Sequence, residues 1–181
     1  MPLTMLLGGA RSGKSTLAVR LMREAPGDVA MIVTAEGGDD EMVERIRQHR
    51  SSRPSEWLVV EEPTEIMAAA KEVDDEAGLI IDCLTLWVSN LMGLGLEDRE
   101  ILERARQVSG WARGRAGQTI AVSNEVGSGI VPANALARQY RDLLGSVNSL
   151  WAGASHAVFM TVAGGVVRVD PELQWEDLPG E

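Results

Sequence analysis

A glycine-rich segment that follows an apolar run and opens a helix-forming run constrains the fold of this chain more than any other feature. Residues 8–15 read Gly-Gly-Ala-Arg-Ser-Gly-Lys-Ser, which fits the pattern G-x-x-x-x-G-K-[ST] at every fixed position. The preceding residues 3–7 are typical of a buried strand, and residues 14–24 are typical of an amphipathic helix. A strand, a glycine-rich turn and a helix in this order form a Walker A phosphate-binding loop, or P-loop, so the chain is predicted to bind a nucleotide.

The residue types of this loop suit a phosphate ligand. Glycines let backbone N–H groups approach a phosphate where a Cβ would block them. Lys14 is expected to reach the β and γ phosphates, and Ser15 to place its hydroxyl on a Mg²⁺ ion. The start of the helix adds a partial positive charge. Lys14 is therefore predicted to be catalytic. The predicted nucleotide contacts in the loop are Gly8, Gly9, Ala10, Arg11, Ser12, Gly13, Lys14 and Ser15.

Short apolar runs alternate with amphipathic runs along the chain, as expected for a parallel sheet built from βα units. Strands are predicted at residues 3–7, 29–34, 57–61, 79–84, 119–123 and 157–162, with a last antiparallel strand at 166–169. Helices are predicted at 14–24, 39–50, 64–73, 86–92, 97–113 and 133–152. The predicted fold is α/β, a P-loop NTPase-type, mostly parallel sheet flanked by helices, with a C-terminal antiparallel edge hairpin. Residues 1–170 are expected to form a single nucleotide-binding domain, and residues 171–181 an acidic C-terminal extension.

Charge and composition exclude several classes of function. The 181 residues carry 17 Lys and Arg against 27 Asp and Glu, a net charge of −10, and such a chain repels nucleic acids and anionic membranes. The most apolar window, residues 77–96, contains Asp82, which favours a strand and a buried helix over a membrane span. A single cysteine, Cys83, and an N-terminus without a signal-peptide pattern fit a cytoplasmic protein. The expected ligands are small phosphorylated molecules.

Three acidic residues stand at or just after the ends of predicted strands, where ligands of open parallel sheets bind. Asp82 ends an apolar run, so it is predicted to hold Mg²⁺ together with Ser15; the alternative is an Asp that only caps the next helix. Glu61 and Glu125 occupy comparable places. For each of these two, the pattern leaves open a role toward the nucleotide or its acceptor and a role as a solvated loop charge.

One histidine lies in a segment rich in arginine. On a helical pitch His49 shares a face with Met42 and Ile46, and four arginines lie between residues 45 and 53. A histidine on an apolar helical face is more often a packed core residue. A neutral imidazole among arginines is also suited to attack a nucleotide phosphorus and to be left as a phosphoramidate. The pattern by itself favours the core role.

Taken together, these motifs resemble one family, the bifunctional adenosylcobinamide kinase and adenosylcobinamide-phosphate guanylyltransferase of cobalamin biosynthesis. The matching segments occur in the expected order over nearly the whole chain. They are residues 8–15, the motifs between Asp39 and Pro54 that include His49, residues 124–127 and 129–132, and the helix from Leu136 to Asn148.

The resemblance implies an activity, a nucleophile and further contacts. It implies that ATP or GTP phosphorylates adenosylcobinamide, and that His49 is catalytic and carries GMP from GTP to the new phosphate. It also implies Mg²⁺, a corrinoid substrate and a homo-oligomer, specifically a homotrimer. The nucleotide contacts that the resemblance adds are Val33, Thr34, Ala35, Arg50, Ser51, Ser52, Arg53, Glu61 and Asp82.

Two other functions are compatible with the same residues. One is a plain P-loop kinase for another small hydroxyl compound, in which His49 is structural. The other is a non-catalytic nucleotide sensor, which the absence of a guanine-specific NKxD loop disfavours.

Overall fold

The computed structural model describes residues 3–35 and 54–169, in which strands and helices alternate along the chain. The strands are β1 (Leu3–Gly8), β2 (Val29–Val33), β3 (Leu58–Glu61), β4 (Gly78–Asp82), β5 (Thr119–Val122), β6 (Ala157–Val162) and β7 (Gly165–Val169). The helices are α1 (Lys14–Arg23), α2 (Ile66–Lys71), α3 (Leu84–Gly93), α4 (Asp98–Gly114) and α5 (Ala135–Ala154). The predicted helix at 39–50 and the predicted extension at 171–181 lie outside the described residues.

The seven described strands form one sheet in the order β3-β2-β4-β5-β1-β6-β7. Neighbouring strands are parallel except β6 and β7, which pair antiparallel. The predicted fold class, including the C-terminal hairpin, is confirmed. Strand β5 lies between β1 and β4, so one strand separates the P-loop from the strand that ends at Asp82. Within residues 3–35 and 54–169, no helix is both long enough and apolar enough to cross a membrane.

Helices cover both faces of the sheet, which explains why several strands are apolar throughout. On one face, Ala18 and Met22 of α1 pack in a cluster with Ile80 of β4. On the other face, helices α2 to α5 pack in a second cluster that includes Leu79 and Ile81 of the same strand. Successive residues of β4 thus point to opposite faces, as the geometry of a strand requires.

Several predicted element ends differ from the observed ones by one or two residues, and two of these differences have identifiable local reasons. The predicted strand at 79–84 is too long, because Leu84 already belongs to α3 and is buried with that helix in the larger cluster. The predicted helix at 133–152 starts too early. Asn134 is its N-cap, because the Asn134 side chain accepts a hydrogen bond from the Ala137 N–H over 2.7 Å. Both differences shift an element end without changing the order of elements.

Candidate nucleotide-binding site

The glycine-rich loop joins the end of β1 to the start of α1, at the carboxyl edge of the parallel strands. Two of its glycines occupy positions that a side chain would disturb. At Gly8, where φ is 151°, a Cβ would lie 2.3 Å from Thr161 Oγ1. Gly13 has φ of 93°, in the left-handed region that favours glycine, and directly precedes α1. The loop therefore leads into a helix N-terminus, which is a favourable place for a phosphate.

Lys14 supplies a buried cation to the loop. Its residue is only 6% exposed, and its ammonium donates to the carbonyl oxygens of Gly8 (2.9 Å) and Gly9 (2.7 Å) and to Ser12 Oγ (3.3 Å). Such partners are needed because an unpaired ammonium is costly to bury. The charge is thus held inside the loop, where Walker A chemistry places it against the β and γ phosphates.

Ser15 and Asp82 meet at the predicted metal site. Ser15 Oγ donates to Asp82 Oδ1 over 3.3 Å, and Asp82 is the last residue of β4. Mg²⁺ is usually held by one or two carboxylates together with water and substrate phosphates. No group of three His, Cys, Asp or Glu side chains that would enclose a metal occurs in the part of the chain that the structure describes. A hydroxyl and a carboxylate therefore fit a Mg²⁺ ion that arrives with a nucleotide.

Hydrogen bonds tie the end of β2 to the end of β4 beside Asp82. Thr34 Oγ1 donates to the Cys83 carbonyl oxygen (2.7 Å) and accepts from the Cys83 N–H (2.9 Å). The amide of Asn90 on α3 donates to the carbonyl oxygens of Thr34 (2.8 Å) and Pro63 (3.0 Å). These bonds fix the backbone on which Asp82 is carried.

The structure brings part of the predicted contact set to one edge and leaves the rest undescribed. Val33 is in register with Glu61 on one side and with Asp82 on the other, and Thr34 and Ala35 follow it directly. These strand ends lie on the same edge of the sheet as the P-loop. The predicted catalytic residue His49 and the predicted contacts Arg50, Ser51, Ser52 and Arg53 lie outside the described residues.

A thiol and a phenol close to the site have raised pKa values because of their surroundings. Burial, reinforced by the charge of Asp82, raises the pKa of Cys83 to about 11. Burial, reinforced by Cys83, raises the pKa of Tyr140 to about 12, and its hydroxyl donates to the Thr85 carbonyl oxygen over 3.1 Å. Near neutral pH neither group is an anion, so neither is an activated nucleophile.

A buried polar cluster behind the end of β5 was missed by the sequence analysis. Ser123 Oγ donates to Asn148 Oδ1 (2.7 Å), and Asn148 Nδ2 donates to the Asn124 carbonyl oxygen (3.0 Å). The Asn124 N–H in turn donates to Thr85 Oγ1 (2.7 Å). The available signal was an asparagine on the apolar face of α5, together with two polar residues directly after an apolar strand. The cluster fixes the backbone of the loop that follows β5.

A cleft of about 580 Å³ opens beside the P-loop. Its walls are P-loop residues 9–13, the loop after β5 at Glu125, and the end of β6 with the turn to β7, residues 160–164. The hydroxyls of Ser12 and Thr161 are 2.7 Å apart and join the P-loop to β6. The cleft is therefore bounded by the phosphate-binding loop itself.

A mostly parallel sheet with a Walker A loop and a carboxylate at the end of a separate strand defines a P-loop nucleotide-binding protein. Residues 4–169 match the CobU family, described as cobinamide kinase / cobinamide phosphate guanyltransferase. The chain belongs to this family. The resemblance drawn from the motifs is confirmed, and with it the prediction of an enzyme of the kinase and guanylyltransferase class.

Characterised relatives match over nearly their whole length. The bifunctional adenosylcobalamin biosynthesis protein CobP of Pseudomonas aeruginosa is 44% identical over 163 residues, covering 88% of this chain and 92% of that protein. The protein CobU of Salmonella typhimurium is 37% identical over 180 residues, covering 91% of this chain and 98% of its own. The CobU protein of Escherichia coli is 33% identical with the same coverage.

Solved structures of low sequence identity share the fold. An ATPase of a bacterial type III secretion system superposes with a TM-score of 0.52 at 11% identity, over 90% of this chain and 51% of that one. A Pyrococcus horikoshii protein superposes with a TM-score of 0.51 at 12% identity, over 96% and 94% of the two chains. These similarities concern the fold alone.

Proposed function

We propose that this protein phosphorylates adenosylcobinamide with ATP or GTP and then transfers GMP from GTP to the adenosylcobinamide phosphate, giving adenosylcobinamide-GDP and pyrophosphate. The observation that carries the proposal is the family match over residues 4–169, in a chain whose Lys14, Ser15 and Asp82 meet at one P-loop. Relatives named as bifunctional enzymes of adenosylcobalamin biosynthesis support both steps.

The kinase step needs charge stabilisation and alignment. The hydroxyl oxygen of the acceptor attacks the γ phosphorus, the bond to the bridging oxygen breaks, and the nucleoside diphosphate leaves with the electron pair. Lys14 and Arg11 compensate the negative charge on the phosphates, and Ser15 and Asp82 would hold Mg²⁺. When bound, Mg²⁺ supplies further compensation of that charge. Because phosphoryl transfer requires little covalent chemistry from the protein, charge compensation by these groups and alignment of the acceptor make up most of the protein's contribution to this step.

The guanylyl step needs a nucleophile, and we assign it to His49. A neutral ring nitrogen of His49 attacks the α phosphorus of GTP, and pyrophosphate leaves. A phosphate oxygen of adenosylcobinamide phosphate then attacks the same phosphorus, which releases the imidazole and forms the diphosphate. The assignment rests on the resemblance of the motif around residues 39–54 to the family that the chain matches, since the local pattern by itself favours packing.

The remaining proposals concern contacts, assembly and location. Glu61 and Asp82 end the two strands that flank β2 and would contact the nucleotide beside residues 33–35, while residues 50–53 would complete the contacts next to His49. We further propose that the protein is a homotrimer in the cytoplasm, an expectation that rests on the resemblance and on the single cysteine of the sequence.

The intact mass of the protein after incubation with Mg²⁺ and GTP tests the proposal. We expect one GMP adduct that is labile in acid and stable in base, as a phosphoramidate is. The His49→Ala variant should form no adduct yet retain kinase activity toward adenosylcobinamide. An ATP incubation controls for base specificity.

Two outcomes would contradict this assignment. An unmodified wild-type mass despite tight GTP binding would favour a plain P-loop kinase and a structural role for His49. Equal loss of both activities in a folded His49→Ala variant would overturn the division of labour between His49 and the P-loop.

A further inference from the structure

Glu125 and Lys14 converge on a single carbonyl oxygen. The Gly8 oxygen accepts a hydrogen bond from Lys14 Nζ over 2.9 Å and another from the Glu125 N–H over 3.1 Å. Glu125 therefore lies beside the ammonium that Walker A chemistry places against the β and γ phosphates. Since β5 lies between β1 and β4, the loop that carries Glu125 lies between the P-loop and Asp82. This is the terminal-phosphate end of the site.

The Glu125 carboxylate is oriented and faces the cleft. Its Oε1 accepts the Gly127 N–H over 2.6 Å, and among residues 3–35 and 54–169 no hydrogen bond is found to Oε2. The side chain lines the cleft together with residues 9–13 of the P-loop. A Cβ at Gly127 would lie 2.9 Å from Oε1, so a side chain at residue 127 would displace this carboxylate. One oxygen is fixed by the backbone while the other is available to an incoming group.

We propose that this cleft receives the hydroxyl-bearing tail of the corrinoid acceptor and that Glu125 is the general base of the kinase step. As the acceptor oxygen forms its bond to the γ phosphorus, the hydroxyl proton passes to Glu125 Oε2. The bond to the bridging oxygen breaks, the nucleoside diphosphate leaves with the electron pair, and the proton later passes to water. The inference rests on the proposed kinase activity and adds to it the base and the acceptor subsite.

The size and lining of the cleft favour the tail of the acceptor. Its volume of about 580 Å³ lies within the range of about 300 to 1,000 Å³ that is usual for small-molecule sites. A corrinoid macrocycle is much bulkier than its aminopropanol arm, so the arm enters and the ring stays outside. Met160 and Val162 provide apolar wall for the arm, and the carboxylate meets the hydroxyl. A nucleoside in the same cleft is the competing occupant that the test must separate.

The Glu125→Gln variant tests the assignment, because the amide keeps an acceptor for the Gly127 N–H but cannot take a proton. Initial rates are measured with ATP, Mg²⁺ and adenosylcobinamide. We expect kcat of the kinase step to fall about 100-fold or more, with the KM for ATP unchanged. Formation of the GMP adduct from GTP, which needs no acceptor, should proceed at the wild-type rate. Glu103→Gln, on the exposed side of α4, is the matched control and should leave both reactions unchanged.

A second variant keeps the base and disturbs only its position. Gly127→Ala places a methyl group against Oε1, and we expect a fall in kcat of about tenfold or more with unchanged nucleotide affinity. A Glu125→Gln enzyme with wild-type kcat overturns the assignment. A raised KM for ATP with unchanged kcat would assign the cleft to the nucleoside instead. A wild-type enzyme without kinase activity would contradict the proposed function itself, and this result is distinct from the other two.

Discussion

Two buried cations stand at opposite edges of the sheet; their partners are of the same kind, but the parts of the fold that they join differ. Lys14 at the carboxyl edge donates to two carbonyl oxygens and a hydroxyl of the glycine-rich loop. Arg115 at the amino edge is 3% exposed and donates to Thr119 Oγ1 and to the carbonyl oxygens of Asp74 and Ala77. Lys14 can exchange its loop partners for phosphate oxygens, whereas Arg115 joins the turn before β4 to the start of β5. Both side chains are thus buried, but Lys14 serves the binding of phosphate at one edge and Arg115 serves the stability of the fold at the other.

The largest expected effect is the loss of activity in Lys14→Ala. Removing the ammonium takes away the charge that faces the β and γ phosphates, and we expect both the kinase rate and the GMP adduct rate to fall by about 1000-fold. The thermal unfolding temperature should change little, because the Gly8 carbonyl oxygen keeps the hydrogen bond from the Glu125 N–H and Gly9 lines the cleft. A large drop in unfolding temperature would show that Lys14 stabilises the fold as Arg115 does, and would contradict the comparison between them.

Loss of the carboxylate at the metal site should have the next largest effect. Asp82→Asn keeps an acceptor for Ser15 Oγ but removes the negative charge that attracts Mg²⁺. We expect the kinase rate at saturating ATP to fall about 100-fold, with part of the loss recovered as the Mg²⁺ concentration is raised. A titration of the rate against Mg²⁺ measures this, and an unchanged titration curve would assign Asp82 to helix capping.

Arg115→Ala should show the opposite pattern to Lys14→Ala. Its loss leaves the buried Ala77 carbonyl oxygen without the Arg115 donor, takes one of two donors from the Asp74 carbonyl oxygen, and removes the guanidinium that lies 5.3 Å from the Trp111 ring centre. We expect the free energy of unfolding to fall by about 3 kcal/mol while kcat at low temperature is retained. Urea denaturation measures the free energy of unfolding, and steady-state rates at 10 °C measure kcat. Arg115→Lys keeps the charge but not the fork of donors. Its free energy of unfolding should therefore lie between those of the wild-type protein and of Arg115→Ala.

The smallest effect concerns Cys83. Burial, and then the charge of Asp82, raise its pKa from 9.0 to about 11, so the thiol stays protonated in the folded protein while an unfolded thiol ionises above pH 9. The contribution of this group to stability is therefore constant below pH 9 and is lost as the pH rises from 9 toward 11. Iodoacetamide labelling should be slow at pH 8.5 in the native protein and rapid after denaturation. Fast labelling of the native protein at pH 8.5 would contradict a raised pKa of Cys83.

The order of elements was predictable because it depends on short-range patterns. Five glycines and serines around Lys14, together with apolar runs of strand length, predicted the P-loop and the parallel sheet. Asp82 was predictable for the same reason, since an apolar run ending in a carboxylate is a local signal. The end of that strand was not, because Cys83 and Leu84 are apolar in either state and only packing in the larger cluster assigns Leu84 to α3.

The environment of Glu125 could not be predicted from the sequence. Its contact with the Gly8 carbonyl oxygen joins residues more than a hundred positions apart, and the order of strands that brings them together leaves no local pattern. The same holds for Thr161, whose hydroxyl contacts Ser12 and whose position excludes a side chain at residue 8. The role proposed for His49 stays a prediction and rests on the resemblance alone, because an apolar helical face favours packing.

The sheet order also has a consequence for how the chain folds. In the described sheet, β1 pairs with β5 on one side and with β6 on the other. Leu3 is in register with Thr119, and Thr4 is in register with Ala157. Contacts of such long sequence separation form slowly, because much chain entropy is lost before they are made. During synthesis the glycine-rich loop therefore stays without its neighbouring strands until nearly the whole chain has emerged. Nucleotide can therefore bind this protein once it has folded, but it contributes little to the folding of the nascent chain.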